Sequence, residues 1–383
     1  MTHNGTITGS VAAALLTLAA FLAVALGVSE ASAATVTWFG GSGPCGFSGP
    51  QWSSGICWNG TAGPAPTTGD DAVLGNAFPP ANNYDLIGVQ LHSVTFGPND
   101  FVSPYNFSGN VIGLQSSGSI TDNNNTGGPE AINTGITLNG PATFTLSAGA
   151  VGLSFGVNPI TGTTGAGSLT LVNNSTGALI LSAANTYTGA TAVNAGTVTV
   201  TGLIVSPVTV NSGGTLGGTG TITNTVTVNS GGALAPGLST GIINTGDLAL
   251  TAGSTLAIEI NGATVGTQYD QVNVTGTVNL GGATLSVTLG FVPAAGTVFT
   301  IVNNDAADAV TGTFAGLPEG ATFTVVGTQF RISYVGSNDV TLTADGTQAI
   351  PTLSEWAQLG MVALLLGGGL LALRRRSLRL RPS

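Results

Sequence analysis

Between residues 34 and 349 the chain offers little with which to do chemistry: fourteen carboxylates, one histidine (His92), one arginine (Arg331) and no lysine. Most of the acids are scattered, as Asp85, Asp100, Asp122, Glu130, Asp247, Glu259, Asp270, Asp305 and Asp308. The adjacent pair Asp70-Asp71 would point to opposite faces of a strand. A glycosidase needs two carboxyls facing one bond, and no spacing here predicts that. A polysaccharide lyase needs a basic residue to take a proton, and Arg331 lies in the alternating stretch FRISYV. His92 has no recognisable Ser or Cys nucleophile context. Gly217-Gly-Thr-Gly220 sits inside a β repeat and opens no helix, so it is no phosphate loop. Nor is it a Gly-Gly-x-Gly-x-Asp calcium motif, because Ile222 stands where the Asp belongs. The expectation is a protein that is not an enzyme, with no catalytic residue, cofactor or defined metal set. Loose Ca²⁺ binding by scattered acids stays open. The rival reading is a carbohydrate-active β-helix enzyme, a polysaccharide lyase or hydrolase.

Cys45 and Cys57 are the only cysteines. A metal site would need more Cys or His ligands, and His92 alone is at hand. A disulfide fits an exported chain, and closing a loop of this size is worth roughly 3 kcal/mol in the chain-entropy model.

The elements that must position these groups are short strands. Glycine accounts for 60 of 383 residues, 42% of the chain is hydrophobic and only 6% is charged. That composition excludes disorder, which needs few hydrophobes and many charges. The glycines do not fall on every third position, which excludes collagen. A net charge of -10 excludes a nucleic-acid partner, since binding there needs a basic face. Val208-Thr-Val-Asn-Ser-Gly-Gly-Thr-Leu216 recurs as Val226-Thr-Val-Asn-Ser-Gly-Gly-Ala-Leu234. Looser copies start at Val193, Leu250 and Leu280, and spacings of about 17 to 30 residues indicate coils of a solenoid. Apolar residues alternate with Thr, the period of a half-buried strand. Asn-Ser-Gly-Gly then turns the chain, so Asn and Thr should stack into ladders.

The two ends read as addresses. Residues 11–28 are an unbroken apolar run, followed by Ala31-Ser32-Ala33. This is the pattern of a signal peptide cleaved after Ala33; the alternative is an uncleaved anchor. Residues 357–373 form a second apolar run, long enough at ~1.5 Å per residue to span a bilayer. Arg374, Arg375 and Arg376 follow it and would hold that end in the cytoplasm.

Ile350-Pro351-Thr352-Leu353-Ser354-Glu355-Trp356, the apolar run and the Arg cluster at 374–381 together resemble the IPTL-type C-terminal sorting signal of Gram-negative bacteria. The resemblance implies processing by an exosortase-type membrane enzyme during transfer to the cell surface. Residues Leu179 to Val200, with Asn185-Thr-Tyr-Thr-Gly189 and Val193-Asn194-Ala-Gly196-Thr197, resemble the autotransporter-associated β-strand repeat. Trp38-Phe-Gly-Gly, Gly69-Asp70-Asp71-Ala-Val and Ser93-Val-Thr-Phe-Gly97 are similar to the start of proteins built from that repeat. Trp38, Trp52 and Trp58 there would form either a cap over the stack or a sugar-stacking platform.

The expected architecture is all-β: a right-handed parallel β-helix with an N-terminal β cap module, a signal peptide and one C-terminal transmembrane helix. The expected divisions are 1–33 signal peptide, 34–130 β module, 131–345 solenoid and 346–383 sorting tail. The expected role is an exported surface or matrix protein, structural or adhesive. Its partners would be the exosortase-type enzyme, neutral surface glycans or further copies of itself. The membrane would be a partner only through the C-terminal helix.

Overall fold

The structure is a computed structural model. It describes residues 34–39, 67–75, 81–84, 88–97, 106–125, 128–162, 167–305, 308–336, 338–347 and 361–366. Ala31, Ala33, Cys45, Cys57, the motif Ile350 to Trp356 and Arg374 to Arg376 lie outside the described residues. Of the apolar run 357–373, residues 361–366 are described and are helical. Among the described residues no helix is long and apolar enough to cross a membrane. Strands dominate the described chain, and they pair mostly in parallel, as a β-solenoid requires. The chain divides into two units, Met1–Ala233 and Leu234–Ser383.

In the first unit the chain runs through short strands and returns to pair with itself one turn later. Thr191–Val200, Val208–Val210 and Val226–Val228 show the mechanism. Val193 pairs with Val210 and Val210 with Val228. Adding the earlier rungs gives an inward column of Ile120, Phe144, Leu171, Val193, Val210 and Val228, all buried. One residue away, Ser119, Thr143, Thr170, Ala192, Thr209 and Thr227 form a half-buried outward column. Parallel register thus converts the period-2 pattern of the sequence into an apolar column and a mostly hydroxyl column on opposite faces, with successive members of each about 4.8 Å apart. Phe144 and Phe155, from facing strands, stack at 4.7 Å and fill the interior.

The expected boundary at 130/131 does not interrupt this pairing. Parallel ladders already join Thr35–Phe39 to Asp71–Gly75, and Asp71–Gly75 to Gln90–Phe96. Glu130–Ile132 continues them from Asn106–Gly109 to Gly152–Phe155. The 34–130 segment alternates apolar and polar less regularly than the later repeats, so its stacking was hard to read.

The second unit stacks in the same way with longer turns. Ile242–Thr245 pairs in parallel with Gln271–Val274, and Thr255–Ile260 with Thr284–Leu289. The expected solenoid to residue 345 ends sooner. Val298–Asn304 pairs in parallel with Gln271–Val274 on one side and antiparallel with Val340–Thr347 on the other. Thr328–Ser333 and Thr322–Val325 complete an antiparallel meander. Phe299, Phe314 and Phe330 are fully buried there, with Tyr269 edge-on to Phe299 at 5.3 Å. An end coil cannot bury its face against another coil, and this aromatic meander supplies the missing cover.

The tight coils depend on two classes of glycine. Gly213 has φ +84° and a Cβ there would meet only the Asn194 carbonyl at an ordinary 3.9 Å, whereas Gly218 has φ +106° and lies against the Val200 backbone. Gly213→Ala should cost about 1–2 kcal/mol, the left-handed penalty alone. Gly218→Ala should cost about 3 kcal/mol or more, because a Cβ there meets a carbonyl that the ladder holds in place. Denaturant midpoints of the two variants measure the difference, and equal midpoints would contradict the packing of this turn.

Candidate functional site

Among the described residues, the acids and His92 fall into separate structural positions. Asp70 Oδ2 accepts hydrogen bonds from the Thr67 N–H and Oγ1 at 2.7 and 2.8 Å, closing a turn. Asp71 instead reaches across a rung. Its Oδ1 accepts from Ser93 Oγ at 2.6 Å and faces His92 Nδ1 at 2.8 Å. Asp, His and Ser are the ingredients of a catalytic triad, yet the connectivity is wrong. A triad puts the serine on the imidazole so that the ring can take its proton. Here serine and histidine both bond to one carboxylate oxygen, so the ring does not activate Ser93. The cluster fastens one rung to the next.

Several other described acids also hold backbone amides or hydroxyls. Asp247 Oδ1 accepts from the Thr277 N–H and Oγ1 at 2.8 and 2.9 Å. Asp270 Oδ1 accepts from the Gly241 N–H and Oδ2 from the Glu259 N–H, at 2.8 and 2.7 Å. Glu319 holds the Tyr334 N–H and Ser333 Oγ, and Asp339 holds the Asn304 N–H. Arg331 is bound to Asp345 at 3.0 Å on the meander. Among the described residues no group of three or more His, Cys, Asp and Glu is placed to hold a metal ion.

Organised polarity appears instead as ladders. Asn211 Nδ2 donates to Asn194 Oδ1 at 2.7 Å, and Asn229 Nδ2 to Asn211 Oδ1 at 2.9 Å, at offsets of 17 and 18 residues. In the second unit Asn273 donates to Asn244 and Asn303 to Asn273, both at 3.0 Å, at offsets of 29 and 30. Asn133 donates to Asn106 at 2.7 Å. Each donates toward the N-terminal side, so the amide dipoles align and reinforce one another. The ladder from Asn194 follows directly from the Val-Asn-x-Gly repeat.

Several polar groups lie inside the coils. Tyr187 is fully buried, and its hydroxyl, Thr191 Oγ1 and Ser206 Oγ form a chain with 2.7 Å links. Burial pushes the Tyr187 phenol above its ordinary pKa. Asn185 Oδ1 accepts the Ile160 N–H, and its Nδ2 donates to the Ala183 carbonyl. These contacts explain two positions of the Asn185-Thr-Tyr187 motif as internal braces. Asp122, Asn124 and Glu130 form a buried cluster in which Asn124 donates its N–H to Asp122 and its Nδ2 to Glu130. The signal for Asp122 was its phase: it falls where the alternation Ile120-Thr121-Asp122 calls for an inward residue.

No family model matches the chain, and no curated protein matches it.

Asn211 stands in the middle of its ladder, so Asn211→Ala removes two side-chain bonds at once. The expected loss is about 1–2 kcal/mol, read from the denaturant midpoint. Asn211→Asp should lose at least as much at neutral pH, since a carboxylate cannot donate to Asn194. An unchanged midpoint in both variants would show that the ladder does not hold the rungs.

Proposed function

We propose that this is a non-enzymatic exported protein of the cell surface or extracellular matrix, structural or adhesive in role. The observation that carries the reading is where its few charged side chains go. Asp70, Asp71, Asp247, Asp270, Glu319 and Asp339 each bind backbone amides or hydroxyls that hold turns and rungs. Groups committed in this way are not free to meet a substrate. What faces outward is periodic: hydroxyl columns and asparagine ladders, each position weak, many copies in line. Repeated weak contacts give avidity, and a body with one arginine favours neutral glycans or other copies of the chain over polyanions.

In this reading the solenoid is right-handed, as parallel crossovers almost always are, and Trp38, Trp52 and Trp58 of the N-terminal module cap its start. Ala31 and Ala33 mark signal-peptide cleavage, and Cys45 and Cys57 form a disulfide outside the cytoplasm. Ile350 to Trp356 is the sorting motif, 357–373 a transient transmembrane helix, and Arg374, Arg375 and Arg376 the stop-transfer cluster read by an exosortase-type enzyme. Pro351 breaks the incoming strand and Trp356 suits the membrane interface, which leaves a short extended segment for that enzyme.

Mass spectrometry of protein released from the cell surface tests the route. The expected C-terminus lies near residue 350, whereas a full-length chain retained in the inner membrane would refute sorting. The purified body should release no reducing ends from the host exopolysaccharide. Release that disappears in His92→Ala would replace this reading with a hydrolase or lyase.

A further inference from the structure

One inward column of the first unit breaks its own chemistry. Phe96, Asp122, Leu146 and Asn173 stand in register along it, so a carboxyl lies between two large apolar side chains. Asp122 and Asn173 turn the chain in the same way. Asp122 Oδ1 accepts from the Asn124 N–H at 2.8 Å, and Asn173 Oδ1 from the Ser175 N–H at 2.9 Å, each two residues on. They part at the second atom. Asn173 Nδ2 donates to the Gly177 and Thr197 carbonyls at 2.9 and 2.8 Å. Asp122 Oδ2 is fully buried and has no hydrogen-bond partner.

Among the described residues, the surroundings offer no cation to stabilise a charge there. The titratable group nearest in the network is another acid, Glu130, fully buried and bonded to the same Asn124. The strands on either side, Gln90–Phe96 and Ala142–Leu146, bring only His92, which is engaged with Asp71. Gly152–Phe155 and Asn106–Gly109, which flank Glu130–Ile132, bring none. An unpaired buried carboxylate is costly, and the usual escape is to hold its proton.

We propose that under mildly acidic conditions Asp122 is held in the folded protein as a neutral carboxylic acid in the place of an asparagine, and that acid tightens this coil while base, by ionising it, loosens it. Burial raises the carboxyl from 3.8 to about 6, with the Asn124 N–H opposing the rise. Because the fold favours the protonated form, the contribution is complete below the unfolded value and is lost as pH climbs through about 6. A shift of this size changes the folded-to-unfolded ratio on the order of tenfold to a hundredfold between pH 4 and neutrality.

The test is hydrogen exchange across residues 112–155 of the full chain, corrected for intrinsic rates, in wild type and Asp122→Asn. Wild type should gain protection by roughly that factor from pH 7.5 to pH 4.5, and Asp122→Asn should hold the higher protection at both. Asp270→Asn is the contrast. Burial also raises Asp270 to about 6, but both its oxygens accept backbone N–H bonds, so its amide variant should lose stability in its own unit. Two outcomes overturn the proposal: wild-type protection that is flat with pH, or an Asp122→Asn chain less protected than wild type at pH 7.5. A third is protection of wild type, but not Asp122→Asn, by millimolar Ca²⁺ at pH 7.5, which would make the pocket a cation site.

Discussion

Parallel, in-register pairing is the constraint on which the described structure depends. Each residue of a rung is stacked on its counterpart about 4.8 Å away, so any side-chain type repeated at the coil spacing becomes a column. Apolar columns close the interior, as in the run from Ile120 to Val228. Asparagine columns become ladders because one amide carries both donor and acceptor. Coil length can vary from 17 residues at Asn194 to 30 at Asn303 without disturbing this. Extra residues enter the turns and leave the rungs in register.

A second constraint follows from composition. With no lysine and a single arginine before the tail, the carboxylates have almost no cations to pair with. They take N–H and O–H donors instead, most visibly at Asp247 and Asp270. The buried hydroxyls of Tyr187, Thr191 and Ser206 are likewise satisfied among themselves. Asp122 is the exception among these described acids, because one of its oxygens is buried without a donor.

The ends of a stack pose a different problem, since an open rung leaves half a core uncovered. In the second unit the chain switches from parallel to antiparallel pairing at Val298–Asn304 and folds an aromatic meander over its last coil. Thr284–Leu289 is covered only in part. Leu285, Val287 and Leu289 are half-exposed, although Leu256, Ile258 and Ile260, their partners one rung back, are buried.

The sequence alone was enough for the coil chemistry. Alternating Val and Thr, the 18-residue echo of Val208 to Leu216 and the Asn-Ser-Gly-Gly turns are local signals, and they predicted strands, spacing and the Asn194 ladder. Which acid touches what was decided by tertiary structure. Asp71 meets His92 and Ser93 across 21 and 22 residues, and Asp270 meets Gly241 across 29. Such partners are set by coil length, which varies along the chain and cannot be counted from one residue type. The stacking of the described strands between Thr35 and Ile132 and the antiparallel ending also depended on pairing between distant segments. A strand's own residues say that it will pair; the neighbour that the coil returns beside it determines the direction and the partner.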